Sequence, residues 1–491
     1  MSAPGPDARV VVVGAGPVGL MLAGELRLGG AEVVVVERRE TPTTESRAST
    51  LHARTMEIFD SRGLLEGLGE PPHVPRGHFG GLPLDLTTPS RHAGQWKVPQ
   101  ATTERLLAEW ATGLGTEVRR GWAVRDVVDD GDGVLVVGGS GQRLRAGHVV
   151  ACDGQDSTVR EVVGAAFPGV PGSRRLVRAD VAGIDVPDRR FQRLDAGLAV
   201  AARTGDGVTR VMAHEFGSAP GAAPDFAGFA ALWRRLTGED ISGGDPLWVD
   251  AFSDRNRQMQ RYRHGRVLFA GDAAHVQLPV GGQALNLGLH DAVNLGWKLA
   301  AVVRGDAPDA LLDTYHDERH PVGRRVLANI RAQSLLLLGD RSVEPVRDLL
   351  AELITTEPVR ALLAGMISGV DVRYPHDGDG GHPLSGARLP ELALATATGT
   401  ATTTTLLRTG RGLLLDLTDD GRLRGAAAPW ADRVTAVAGR ADPAPGAAGL
   451  LVRPDGHVAW AGDEAGGARA ALVRWFGPGR PTAPHEPGEE V

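Results

Sequence analysis

The sequence predicts a mixed α/β protein organised around a dinucleotide-binding unit. Three observations predict it. Residues 9–39, "RVVVVGAGPVGLMLAGELRLGGAEVVVVERR", read as strand, glycine turn, helix and strand. Two later apolar strands, ending at Asp153 and Asp272, each lead through a turn towards a helix. The segments of about 175–262 and 411–462 carry strand-like runs instead.

The N-terminal unit is justified residue by residue. Val10–Val13 is a fully apolar strand, as expected of a strand covered on both faces. Gly14, Gly16 and Gly19 follow at the spacing of a phosphate cradle. The first permits a tight turn, the second lets backbone approach a pyrophosphate, and the third lets helix and strand pack closely. The helix ends at Gly29-Gly30, and Val33–Val36 forms the next strand. Glu37 closes that strand 23 residues after Gly14, where a carboxylate accepts hydrogen bonds from a ribose diol. This fingerprint alone does not separate FAD from NAD.

"VVACDGQDSTVREVVG", 149–164, places Asp153-Gly154 at the end of a second strand. Either it lays backbone against a cofactor or it is a plain strand-to-helix connection. "GDAAHVQLPVGGQALNLGLHDAVNLGWKLA", 271–300, says more. A strand ends at Asp272, and Pro279 and Gly281-Gly282 make a corner. A helix without a capping side chain then begins near Gln283. A bare helix N-terminus stabilises negative charge. The N1–C2=O edge of a reduced isoalloxazine carries such charge, so this corner reads as a flavin site.

Bulk properties narrow the class. The chain has 491 residues, enough for about two to four domains. Its net charge of -7 argues against nucleic acid as a partner. Only two of the 53 basic Lys and Arg residues are lysines, Lys97 and Lys298. The single cysteine, Cys152, rules out an internal disulfide framework and suits a cytoplasmic protein. It reads as a small buried residue. The apolar run 10–24 is broken by Gly14, Gly16, Pro17 and Gly19, so it reads neither as a membrane span nor as a signal peptide. His316 and His320, in "HDERH", sit at i and i+4, but no third ligand is evident. They are expected to pack and cap a helix that Pro321 ends, and no metal is expected.

The motifs "GAGPVG", "RASTLHARTMEIFDSRGL", "ACDGQDSTVR", "YRHGRVLFAGDAAHVQLPVGGQALNLGLHDAVNLGWKL" and "YHDERHPVG" together resemble the class A flavoprotein aromatic hydroxylases. Within them the chain is most similar to the aromatic polyketide, angucycline-type enzymes, over roughly residues 8 to 380. The resemblance implies a Rossmann-like FAD-binding domain of the glutathione-reductase type in two parts, 1–175 and 263–380. It implies an inserted antiparallel-sheet substrate domain at 176–262. A thioredoxin-like C-terminal domain, 384–491, would follow, here without a CxxC pair.

The resemblance also assigns residues. FAD would lie on the backbone of Gly14, Gly16, Pro17, Val18 and Gly19. Its ribose would meet Glu37, with Arg38, Arg47 and Gln100 nearby. Asp153-Gly154 would touch both FAD and NAD(P)H. Gly271-Asp272 would hold the ribityl chain. Pro279, Gly282, Gln283, Ala284, Leu285 and Asn286 would border the ring. Pro279, Gly282 and Arg47 would serve the chemistry itself. Relatives carry glycine where Ala284 stands, and a left-handed Ala284 would be costly. Trp248, Phe252, Met212 and Phe216 are candidates to line the substrate pocket.

The implied reaction is FAD-dependent and consumes NADPH or NADH and O2. A C4a-hydroperoxyflavin would hydroxylate a polycyclic phenol or quinone. Oxygen insertion beside a ketone, epoxidation, or a flavin-holding scaffold without oxygenase activity are the alternatives. A monomer or homodimer is expected, with no membrane association. The tail beyond about Arg480 reads as disordered.

Overall fold

The computed structural model describes residues 8–43, 49–205, 207–218, 224–375, 381–418 and 421–480. Arg47 and the C-terminal tail lie outside the described residues. The chain has a mixed α/β fold. Strand β1 (Ala8–Val13), helix α1 (Pro17–Leu28) and β2 (Val33–Glu37) follow one another as the glycine spacing predicts. β1 pairs in parallel with β2 on one side and with β3 (Arg143–Ala151) on the other. Strand Val267–Phe269 adds in parallel to the far edge of β3. Val13 pairs with Ala151, and Ala151 with Phe269, so three strands end side by side. Val10, Val11 and Val12 are completely buried, the pattern of a strand packed on both faces.

β4 (Arg175–Ala182), β5 (Arg189–Arg193), β6 (Gly197–Gly205), β7 (Val208–Glu215) and β8 (Asp245–Ser253) form one antiparallel sheet in the order β5-β6-β7-β4-β8. Side chains alternate between its faces. Val177, Ala179, Val181, Val211 and Ala213 meet Phe229 and Trp233 of helix α2 (Phe226–Thr237). Leu176, Leu198, Met212 and Phe252 turn the other way, onto Leu278, Val280, Ile330 and Leu337. An antiparallel sheet commonly keeps one face in water. Here both are packed, because the segment between β7 and β8 supplies α2. Asp225 starts that helix by accepting a hydrogen bond from the Gly228 backbone N–H at 2.8 Å.

The chain then returns through β9 (Val267–Phe269) to two long helices, α3 (Gln283–Val303) and α4 (Asp313–Leu338). α3 crosses α1 closely at Gly296, where an added Cβ would come within 2.4 Å of Glu25 Cβ. α4 corrects an expectation, since Pro321 does not end it. Proline removes one helical hydrogen bond and crowds the preceding turn, at a cost of about 3 kcal/mol. Burial on both sides of Pro321 offsets this. Glu318 and Arg319 anchor the first half, and Ile330, Leu337 and Leu338 bury the second. Gly323 gives room there, because a Cβ would lie 2.6 Å from the Tyr262 hydroxyl.

The C-terminal unit has the strands expected from its apolar runs. β10 (Gly412–Asp416) pairs in parallel with β11 (Val434–Ala438). On its other side β10 pairs antiparallel with β12 (Gly449–Val452), which pairs with β13 (Val458–Gly462). Helix α5 (Ala465–Phe476) packs beside them. A buried ion network clamps this unit to the helices. Arg453 donates to both Glu318 oxygens, at 2.5 and 2.9 Å, and also pairs with Asp455. Lys298 Nζ reaches Glu318 at 2.8 Å and Asn294 Oδ1 at 2.9 Å. Burial drives the Lys298 ammonium down to about 8. Burial acts against the Glu318 carboxylate too, but Arg453 and Lys298 outweigh it and hold the group at about 2.

Removing one partner of such a network leaves buried charge uncompensated. Arg453→Met should therefore destabilise the protein by about 3–5 kcal/mol. A thermal melt with an unchanged midpoint would contradict the clamp. Acid should act through a second group of buried side chains. Burial lowers His52, His78, His148 and His457 from 6.5 to about 4. Unfolded imidazoles bind protons as the pH falls through about 6.5, whereas these folded ones wait until about 4. Stability present above pH 6.5 should thus be lost between 6.5 and 4, by up to about 1.4 kcal/mol per pH unit for each histidine. Urea midpoints measured across that window should fall, and His148→Gln should flatten the slope by about one proton.

Candidate functional site

The side-by-side ends of β1, β3 and β9 set the site. Carboxyl ends of parallel strands are where such sheets bind ligands. Gly14 leaves β1 with φ +106°, and a Cβ there would sit 2.4 Å from the Cys152 carbonyl oxygen. At Gly19 a Cβ would be 2.0 Å from the Gly14 oxygen. Both glycines are therefore required by the packing of the turn. Gly16 differs, because nothing lies within 4 Å of where its Cβ would be. It is the N-cap of α1, with no side-chain cap and Pro17 next, so the α1 amides face open space. Pro17 is buried in α1, and Val18 wedges against Gly271 and Gly288, tying the turn to the later corner.

Gly14, Gly16, Glu37, Arg38, Gln100, Asp153 and Gly154 line one cavity of about 300 Å³. Gln100 reaches it from the start of helix Gln100–Gly113. The Glu37 carboxylate accepts the Ala15 N–H at 2.8 Å and the Arg39 N–H at 2.9 Å. Each oxygen keeps a further lone pair for a ligand hydroxyl. Burial pushes the Asp153 carboxyl upward. Its Oδ2 accepts from Val159 N–H at 3.1 Å, while its buried Oδ1 has no partner. An orphaned buried acceptor beside an open glycine fits a hydroxyl- and phosphate-bearing ligand. Arg160 spans from this turn to the next, donating to the Ala273 carbonyl at 2.9 Å. Cys152 lies under the turn, its Cβ 3.3 Å from the position of a Gly19 Cβ, and burial raises its thiol well above the ordinary value. It stays protonated there.

The second half of the site is the α3 corner. Gly271 turns out of β9 with φ +62°, Asp272 is exposed at that turn, and Pro279 is exposed further on. Gly281 and Gly282 are both left-handed, at φ +67° and +69°. Gly282 is the N-cap of α3, and no side chain caps the helix. Ala284 is not left-handed, since Phe191 is the single non-glycine with positive φ among the described residues. The cost considered for Ala284 does not arise. The strained positions belong to the two glycines, and alanine suits the first helical turn.

Asn286 does more than border this corner. Its Nδ2 donates to Thr50 O at 3.0 Å and Gly282 O at 2.7 Å. Its Oδ1 accepts from His52 N–H at 2.9 Å and the Thr55 hydroxyl at 2.6 Å. The side chain is consumed in stitching strand Leu51–His52 to the glycines. Leu285 packs partly into the main core, so only its backbone faces the corner. The buried Gln283 Nε2 has no partner. His52 escaped the sequence reading of the site. Its Nε2–H donates to Gly281 O at 2.8 Å, which leaves a buried Nδ1 lone pair unpartnered. A histidine inside "STLHARTMEIF" carries no local sign of this role.

Of the four pocket candidates, Met212 and Phe252 lie on the sheet face turned towards Leu278 and Val280. Trp248 shares that face by strand parity, between the Arg178 and Arg210 guanidinium groups at 5.4 and 5.5 Å. Phe216 lies past the end of β7 at an outer depression with Asp340 and Arg341, under Arg193. His316 and His320 stack at 4.7 Å beside Tyr262 and accept or donate to backbone. No group of three metal-ligating side chains occurs among the described residues. No helix among them is long and apolar enough to cross a membrane.

Comparison with known proteins places the chain in a family. Residues 7–330 match the model of the FAD binding domain family, and residues 382–479 match the aromatic-ring hydroxylase C-terminal family. A rifampicin monooxygenase of Streptomyces venezuelae is 44% identical over 95% of this chain and 98% of its own. A dialkyldecalin synthase of Streptomyces rugosporus is 40% identical over 96% and 99%. The crystal structure of an aromatic hydroxylase from angucycline biosynthesis superposes with a TM-score of 0.92 at 50% identity, covering 96% of this chain and all of that one. With both halves of the molecule matched, the chain belongs to the FAD-binding aromatic-ring hydroxylase family of monooxygenases.

Proposed function

We propose that this protein hydroxylates a polycyclic phenol or quinone, using FAD, O2 and NADPH or NADH. One observation carries the reading. The cavity around Gly16 and Asp153 lies at the ends of β1 and β3, and the segment that leads to the uncapped N-terminus of α3 leaves the adjacent end of β9. A single elongated cofactor would span that arrangement. Its pyrophosphate would lie on Gly14, Gly16, Pro17, Val18 and Gly19, and its ribose on Glu37. Arg38, Arg47, Gln100, Asp153 and Gly154 would flank it. Gly271-Asp272 would hold its ribityl chain. Pro279 and Gly282 to Asn286 would border its ring. When bound, FAD supplies the redox and oxygen-transfer chemistry.

The protein's own residues then have defined tasks. Amide groups at the start of α3 stabilise negative charge at their end. Gly281 and Gly282 keep the approach free of side chains. Pro279 would offer its carbonyl, and Arg47 its charge, to the reacting groups. The sheet β4–β8 would roof the chamber with Met212, Phe252 and Trp248 and exclude water. This assigns 1–175 and 263–380 to a Rossmann-like FAD domain, 176–262 to an inserted substrate domain and 384–491 to a thioredoxin-like domain without dithiol chemistry. The rifampicin and angucycline relatives support a polycyclic aromatic substrate. A second reading, a flavin-holding protein that transfers no oxygen, is favoured by the dialkyldecalin synthase among the relatives. Product mass after turnover in labelled O2 separates the two.

Gly16→Ala tests the cofactor placement directly. Its methyl meets nothing in the protein itself, so the melting temperature of the apoprotein should stay unchanged. FAD retention should weaken at least about tenfold, or ~1.4 kcal/mol, because the methyl occupies the pyrophosphate's path. Full flavin absorbance after dialysis of this variant would overturn the placement.

A further inference from the structure

Both lysines of this arginine-rich chain lie in unusual surroundings. Lys298 belongs to the buried clamp. Lys97 has no carboxylate partner among the described residues. Its Nζ donates to Thr50 Oγ1 at 3.1 Å and Gln95 Oε1 at 2.8 Å. An ammonium has three N–H donors, so one is left over. Thr50 in turn lies against the α3 corner, since a Cβ on Gly282 would sit 3.0 Å from Thr50 Cβ. Lys97 therefore stands one residue away from the uncapped helix.

The charged and titratable groups around Lys97 are Arg190, His52 and His78. None is acidic. Both histidines are held neutral by burial, at about 4. Burial and Arg190 depress the Lys97 ammonium, and no carboxylate among the described residues pairs with it. The fully buried His52 adds an unpartnered Nδ1 acceptor beside it. An arginine would spread its charge over a planar fork, whereas a lysine offers a compact donor.

We propose that Lys97 binds an ionised phenol or enol oxygen of the substrate beside the α3 N-terminus, and so selects substrates with an acidic hydroxyl. This rests on the hydroxylase reading above. The substrate hydroxyl gives its proton to bulk water, and the oxygen is held as its anion by the third Lys97 N–H. A ring so ionised is richer in electrons, as hydroxylation requires.

The test uses FAD-loaded protein and alizarin, whose phenolate is coloured. FAD content is read first. The ionisation midpoint of protein-bound alizarin is then followed by absorbance in wild type, Lys97→Met and Lys97→Arg. The midpoint should rise by at least about one pH unit, a tenfold change in ionisation, in Lys97→Met and remain close to wild type in Lys97→Arg. Equal midpoints in wild type and Lys97→Met at full FAD content overturn the lysine assignment and leave the flavoprotein reading intact. A wild-type protein that retains no FAD overturns both.

Discussion

Asp291 is the side chain on which the site's geometry depends. It is completely buried on α3, yet it is ionised. Burial acts against its charge, but Arg319 and His275 outweigh burial and hold the carboxyl below its ordinary value. It accepts from His275 Nε2 and from Arg319 Nε, each at 2.7 Å, and from the Gly271 N–H at 3.2 Å. Three elements thus meet at one carboxylate: the turn after β9, the segment leading to Pro279, and α4. The direction in which α3 aims its bare N-terminus is fixed relative to Asp272 by these bonds. A buried carboxylate is costly without partners, so the arrangement is all or nothing.

α4 extends that constraint. Glu318 and Arg319 are neighbours in sequence but serve different networks. Arg319 turns to Asp291, the Leu287 carbonyl and the Tyr374 hydroxyl. Glu318 turns to Lys298, Asn294 and Arg453. One helical turn therefore positions the α3 corner and docks the C-terminal unit. This explains why the helix survives Pro321. Losing it there would release both networks together.

The parts legible in the sequence were those specified locally. The spacing of Gly14, Gly16 and Gly19, the acid at Glu37, and the strand-ending Asp153 and Asp272 all depend on residues close in the chain. What was missed depends on distant partners. The side-chain bonds of Asn286 reach residues some 230 positions earlier, which no local pattern announces. His52 acquires its role only because Gly281 arrives from far along the chain. Asp291 acquires its role only through Gly271, His275 and Arg319, none of which marks it locally. Pro321 was judged by its local penalty, and tertiary burial outweighed it. The glycine-to-alanine change at Ala284 seemed to threaten the corner until the left-handed positions proved to be Gly281 and Gly282.

The guanidinium of Arg453, lodged between Glu318 and Asp455, bears on how such proteins can diversify. The C-terminal unit is not a detachable appendage, because its loop supplies the counter-charge to Glu318 of α4. Recombination between relatives at the junction near residue 380 yields a working chimera only when donor and recipient share this arginine and glutamate. Loss of either charge leaves the other buried and uncompensated, so a substitution at one position calls for a matching one at the other.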